Sequence, residues 1–315
     1  FNSKRVQVRA GATIVLALGG YLLAVTQGAA ILLAELTDLT YVQALFAAWL
    51  SYTLFTMYSG SRGVILTDTV MFLLFTVASV AALTFMVQDL GGVPAIVEKL
   101  VAVEQKKDLL SWHGMIGPGT DWPTSLDYLI WAIVIDVSWM LVYMVSPWQS
   151  SRHQMARNEH VVLRSAVLAA LFVALLQVLV YGMGGIINVG NPDISPPERA
   201  TIWASLNMLP TVLGALMLAG IMAAVLSSAS TFLSLVGFSV SNDIGIHKTN
   251  DESKSLRFSR LMMLVTGAVA LAAALVFPPQ IFWLTTFIAT VFASSWGPVG
   301  LMAIWSKRIT EKAAF

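Results

Sequence analysis

Cysteine is absent from all 315 residues, which removes disulfide, iron–sulfur and thiolate-zinc frameworks and leaves the redox compartment open. Charge is scarce: only 11% of residues are Asp, Glu, Lys or Arg against 57% apolar, with a formal net charge of +1. So even a balance offers no basic surface for nucleic acid, and so apolar a chain does not describe a soluble domain. Histidine occurs four times, at His113, His153, His160 and His247, each outside the apolar runs. No HExxH, GxSxG or phosphate-loop pattern accompanies them, so the chain is not read as an enzyme. Repeats and low-complexity tracts are also missing. The sequence opens on Phe1 with no signal peptide before the first apolar run, and it reads as an internal fragment with something expected at both ends.

What is present is a succession of apolar runs of about 20 residues, each able to cross roughly 30 Å of hydrocarbon. Eight are read, over 6–34, 39–59, 64–88, 126–146, 162–187, 209–241, 258–277 and 280–305. The expected fold is an all-α polytopic membrane protein in which residues 1–315 form one transmembrane domain. Cations test the assignment, because short cytoplasmic loops concentrate Lys and Arg. With the first residues inside, eight crossings leave 14 of the 18 cations on the cytoplasmic side, Lys4, Arg5, Arg62, Arg152, Lys254 and Lys312 among them. The other four are Lys99, Lys106 and Lys107 in the long outer segment 89–125, and Arg199 in 188–208. An even number of crossings places both ends in the cytoplasm and the protein in the plasma membrane.

Two outer segments carry structure of their own. Residues 93–107, VPAIVEKLVAVEQKK, form an amphipathic run that predicts an interfacial helix before the loop-like GPGTDWP. Prolines in NVGNPDISPPERATIWASLN stop one helix and predict a short second one over 198–207. Either segment serves as a connector or as a lid.

Polar groups inside the spans carry the chemistry. Ala224, Ser227 and Ser228 stand at spacing 0, +3 and +4 in the middle of the sixth run, on one helical face. A helix in hydrocarbon satisfies its own backbone, so hydroxyls there need another purpose, and coordination of a small hard cation such as sodium is one. Close helix packing through small residues is the other. Asp68, beside Thr67 at the inner end of the third run, is either a cation-attracting carboxylate or a hydrated cap. Asp136 lies ten residues from either end of the fourth run, where an unpaired carboxylate is costly. It pairs with a cationic solute, holds an ion, or bonds a neighbouring helix. Trp139 and Tyr143 follow on roughly the same face and are candidates for a substrate cavity, as are Gln177 and, one turn on, Tyr181. Packing and interhelical hydrogen bonding remain open for these four. Most other tryptophans fall near expected interfaces and fit an aromatic belt.

The segment GALMLAGIMAAVLSSASTFLSLVGFSVSNDI resembles the eighth core helix of the solute:sodium symporter family, in which small residues and an Ala-x-x-Ser-Ser or Ser-Thr element lead towards an acidic residue and Ile. Residues 60–75, GSRGVILTDTVMFLLF, resemble the family's Thr-Asp element, with Leu66 and Met71 where Trp and Gln are usual. SPWQSSRHQMAR at 146–157 is similar to its inner loop, and FNSKRVQ to the segment after its second core helix. The resemblance implies a LeuT-like inverted repeat, with core helices three to ten in this chain and the first two, partners in the ion site, outside it. It further implies sodium as coupling ion at Ala224, Ser227 and Ser228, and an ion pathway by Thr67 and Asp68.

The expected function is sodium-coupled symport of a small organic solute by alternating access, within membrane lipid. Proton coupling and a symporter-like sensor module of a signalling protein are the alternatives. The sequence names no solute.

Overall fold

The computed structural model describes residues 3–106, 109–111, 116–118, 120–244, 252–306 and 308–314, at 59–64 and 252 by backbone alone. His113, His247, Lys107, Lys248 and Lys307 lie outside the described residues.

Among the described residues ten α-helices follow one another: α1 (Lys4–Leu36), α2 (Tyr41–Asp89), α3 (Val93–Val101), α4 (Ser125–Val145), α5 (Pro147–Gln154), α6 (Glu159–Gly190), α7 (Ala200–Asn207), α8 (Thr211–Phe238), α9 (Glu252–Val276) and α10 (Ile281–Trp305). Local chemistry sets several ends. Ser3 caps α1, its hydroxyl accepting from Val6 N at 3.4 Å, and Asn158 caps α6, its Oδ1 accepting from Val161 N at 3.0 Å. Pro147 opens α5 where its missing N–H costs nothing, so the chain breaks at Ser146 and restarts as a second short helix. The expected interfacial helix is α3, with Ile96 and Leu100 buried one turn apart. The expected helix over 198–207 is a 3-10 turn, Pro197–Arg199, leading into α7.

Among the described residues seven helices, not the expected eight, are long and apolar enough to cross a membrane. The difference arises in α2. The expected second and third spans run on as one helix of 49 residues, because the linking SGSRG contains glycines but no proline to interrupt the hydrogen-bond ladder. Of that helix, Ile65–Asp89 qualifies as a span. The first half is diluted by Gln43, Ser51, Thr53, Thr56 and three tyrosines. Large exposed apolar side chains along the helices, such as Leu163, Val167 and Leu171 of α6, are surface suited to lipid.

The chain forms two compact units. One comprises Phe1–Asp68, Ile135–Met155 and Val225–Phe315; the other comprises Thr69–Val134 and Ala156–Ala224. In the first, α1 packs against α9, α10 and a π-helical turn at Ser239–Ile244 that ends α8. Its core joins Leu18, Val142, Phe232, Val236, Ile288 and Phe292. A neighbouring cluster joins Leu22, Tyr52, Leu233 and Met263. Two polar contacts tie α1 in. Thr26 Oγ1 and Tyr52 OH are 3.0 Å apart in full burial, and Gln27 Nε2 donates to Phe277 O at 2.9 Å. The second unit is built on Ala78, Ala82 and Met86 of α2, packed with Ile96, Met183, Ile187 and Met217.

Candidate ion-binding site

A cavity of about 310 Å³ opens within the first unit. Helix periodicity brings its walls together. Ser227, Ser228, Thr231 and Phe232 form two i, i+4 pairs on one face of α8. Trp139 and Tyr143 make the same spacing on α4, and Trp148, Gln149 and Arg152 do so at 0, +1 and +4 on α5. Tyr21 of α1 and Asp68 of α2 complete the lining.

The cavity has an aromatic side and a polar side. Tyr21 stands 4.9 Å from Phe232 and 5.9 Å from Trp148, centroid to centroid. Trp148 also meets Phe232 at 5.8 Å and Phe292 at 5.6 Å, edge to face. Trp148 is thereby held on three sides, a geometry favourable beyond its buried area. On the polar side Arg152 Nη2 donates to Asp68 Oδ2 at 2.7 Å and to Thr231 Oγ1 at 2.9 Å. The second carboxylate oxygen, Asp68 Oδ1, is buried and has no partner at full hydrogen-bond geometry. Such an atom is expensive to leave unsatisfied, and Ser227 lies against this same carboxylate. Hydroxyls and one carboxylate are an all-oxygen donor set, which suits a hard cation. Among the described residues no group of three or more His, Cys, Asp or Glu side chains gathers to hold a metal ion, in this cavity or outside it.

Of the residues singled out in the sequence, Ser227, Ser228, Asp68, Trp139 and Tyr143 line this one cavity. Ala224 is one turn before Ser227 on α8 and is exposed, and Thr67 adjoins Asp68 without entering the wall. Asp136 is exposed on α4, a turn short of the wall, and Gln177 is exposed on α6 of the second unit. Sequence reasoning missed Tyr21, Gln149, Arg152, Thr231 and Phe232, and it gave Trp148, which lines the cavity, only a place in the aromatic belt. Arg152 counted there only as one more cytoplasmic cation. The available signal was Pro147: a proline that opens a helix turns the inner loop into a face, with Trp148 and Arg152 one turn apart.

Comparison with known proteins agrees with this architecture. A Na+-coupled sialic acid symporter, solved in a substrate-bound outward-open state, superposes with a TM-score of 0.75 over 97% of this chain and 64% of its own, at 19% identity. The sodium/pantothenate symporter of Haemophilus influenzae is 24% identical over 267 residues, 82% of this chain and 52% of that protein. The sodium/proline symporter of Salmonella typhimurium is 23% identical over 287 residues, 88% of this chain and 54% of that protein. The chain thus spans about half the length of the curated relatives it matches. The profile of the Sodium:solute symporter family matches residues 1–315, a transporter family in which sodium is the coupling ion and not an enzyme's cofactor. With that match running through every helix described above, the chain belongs to the sodium:solute symporter family.

Proposed function

We propose that the protein is a sodium-coupled symporter of a small organic solute, with sodium bound at Ser227, Ser228 and the carbonyl of Ala224, and Asp68 with Thr67 on its path. The observation that carries this is Asp68 Oδ1, buried with no partner at full hydrogen-bond geometry in a cavity that Ser227 and Ser228 also line. A sodium ion would occupy the oxygen that the Arg152 ion pair leaves free. Symport then requires only that ion and solute prefer the same access state, so that each raises the other's affinity. Trp139 and Tyr143 offer the solute an apolar wall. Asp136 is proposed as a further solute contact on the strength of its central place in α4.

The finer fold reading is a LeuT-like inverted repeat with eight crossings, which requires α2, continuous in the structure, to break and reverse near residue 62 in the membrane. Its support is that Ser3 Oγ donates to Glu311 Oε1 at 2.6 Å. Ends that meet on one membrane face favour an even count. The cations at both ends favour the cytoplasmic face of the plasma membrane.

The test is uptake by the full-length protein in proteoliposomes, with pantothenate, proline and sialic acid as the first solutes offered, with and without an inward sodium gradient. Accumulation that follows the gradient is expected. Ser227→Ala or Ser228→Ala should raise the sodium concentration for half-maximal uptake by about tenfold or more, the worth of one oxygen contact to a charge. Unchanged sodium activation in both variants would sink the site. Solutes that bind and accumulate under neither a sodium nor a proton gradient would favour a sensor.

A further inference from the structure

The polar side of the cavity already contains a cation. Arg152 Nη2 spans Asp68 Oδ2 and Thr231 Oγ1, both within 3 Å, so two of the oxygens beside Ser227 and Ser228 are engaged by the protein's own guanidinium. The pair is neither in bulk water nor sealed off: the Arg152 and Asp68 side chains keep 29% and 23% of their exposure. At such depth an ion pair is weaker than in a dry interior and can be traded for another. The guanidinium uses one oxygen only; Oδ1, on the side of Ser227, has no partner at full hydrogen-bond geometry.

We propose that Arg152 is a tethered competitor for sodium: it holds Asp68 when the ion is away, gives the carboxylate up when the ion arrives, and so converts ion occupancy into a movement of α5. This rests on the sodium reading of the site. The fold supplies the mechanical part. α5 has only eight residues and is separated from α4 by the break at Ser146 and Pro147, so Arg152 can shift without unwinding a span. The same short helix carries Trp148 and Gln149 into the cavity wall. An event at Asp68 is therefore felt, one turn away, by the residues that face a solute. Linkage makes the effect reciprocal: whatever sodium does to loosen Arg152, a docked Arg152 does to weaken sodium.

Removing the competitor should tighten sodium binding, the reverse of what removing a ligand does. In the full-length protein, Arg152→Gln is expected to lower the sodium dissociation constant by about tenfold, whereas Arg152→Lys, which keeps the charge, stays within about threefold of the native protein. Ser227→Ala and Asp68→Asn are measured beside them by equilibrium binding of radioactive sodium. If these two weaken sodium and Arg152→Gln fails to strengthen it, the competitor role is overturned and the ion site stands. If neither Ser227→Ala nor Asp68→Asn changes sodium affinity, the site itself is wrong and the inference goes with it. A second measurement needs no variant. Phenylglyoxal modification of Arg152 in the native protein, read by peptide mass spectrometry, should be several-fold faster in saturating sodium than in choline. Equal or slower modification in sodium would refute the release of Arg152.

Discussion

Gly237 sits in α8 where that helix crosses α9, and replacing it with Ala tests whether the crossing depends on a missing side chain. An added Cβ would lie 2.6 Å from Met263 Cγ, 2.9 Å from Ser259 O and 3.1 Å from Met263 Cε. Met263 can turn away, although it is 4% exposed and has little room. The Ser259 carbonyl belongs to the α9 backbone and moves only with the helix. Carbon to carbonyl-oxygen contacts are comfortable from about 3.3 Å, so α9 must retreat by roughly 0.4 Å. Overpacking of this kind costs about 1–3 kcal/mol, and the gain of about 1 kcal/mol in helix propensity of Ala over Gly offsets part of it. The net expectation is a loss of about 0–2 kcal/mol, and about 1–3 kcal/mol relative to an unobstructed Gly→Ala change, with Val costlier than Ala. Thermal unfolding of the purified full-length protein, followed by fluorescence-detected gel filtration, reads the change. Gly184→Ala is the control, since nothing lies within 4 Å of its Cβ, and it should be neutral or stabilising. Ser227 is ten residues away, about 15 Å along the helix, so sodium affinity measured below the transition should be unchanged in both. A Gly237→Ala protein as stable as the control would refute the claim that close approach at this glycine sets the α8–α9 packing.

Tyr52→Phe removes a hydroxyl 3.0 Å from Thr26 Oγ1, which keeps its bond to Leu22 O at 2.7 Å. No donor is orphaned, so thermal unfolding should show a loss of only about 1 kcal/mol, and a larger loss would mean that Tyr52 does more than close this contact. Asp68→Asn should abolish sodium dependence of uptake while lowering thermal stability by no more than about 1–3 kcal/mol, because Arg152 retains Thr231 and partial hydration. Intact sodium dependence in that variant would remove Asp68 from the ion path. The lack of cysteine makes single-cysteine labelling direct: Arg5→Cys and Lys312→Cys should both be protected from an impermeant maleimide in intact cells, and Lys99→Cys should react. Labelling of only one of the two ends would defeat the even count of crossings.

Most of the helical frame was legible because hydrocarbon enforces it. A run long enough to span must be helical, and caps then fix the ends within a turn, as Asn158 and Pro147 do for α6 and α5. The exception is instructive in physical terms. Charge placement argues for a turn near Arg62, but the backbone there carries glycines, which permit a turn without compelling one, and the helix continues. A proline in SGSRG would have settled the matter in the sequence.

The site was legible on single helices and illegible between them. Spacing identified Ser227 with Ser228, and Trp139 with Tyr143, since each pair needs only the 3.6-residue period. Spacing also drew Asp136 into the latter group at i+3 and i+7, although the wall continues the other way, through Ser146 into α5. Periodicity defines a stripe but not where along the stripe a neighbour lands. Arg152 and Asp68 are 84 positions apart, and Tyr21 and Phe232 211 apart; no local pattern encodes either meeting. What the sequence does hold is the cost of the alternative. A carboxylate within a span must find a cation, and among the cations nearest the inner ends of spans only those on a face opposing Asp68 can serve. Arg152 qualifies once α5 is recognised as a helix, so the segment between α4 and α6, the one with the least hydrophobic signal, decides what the half-buried carboxylate does.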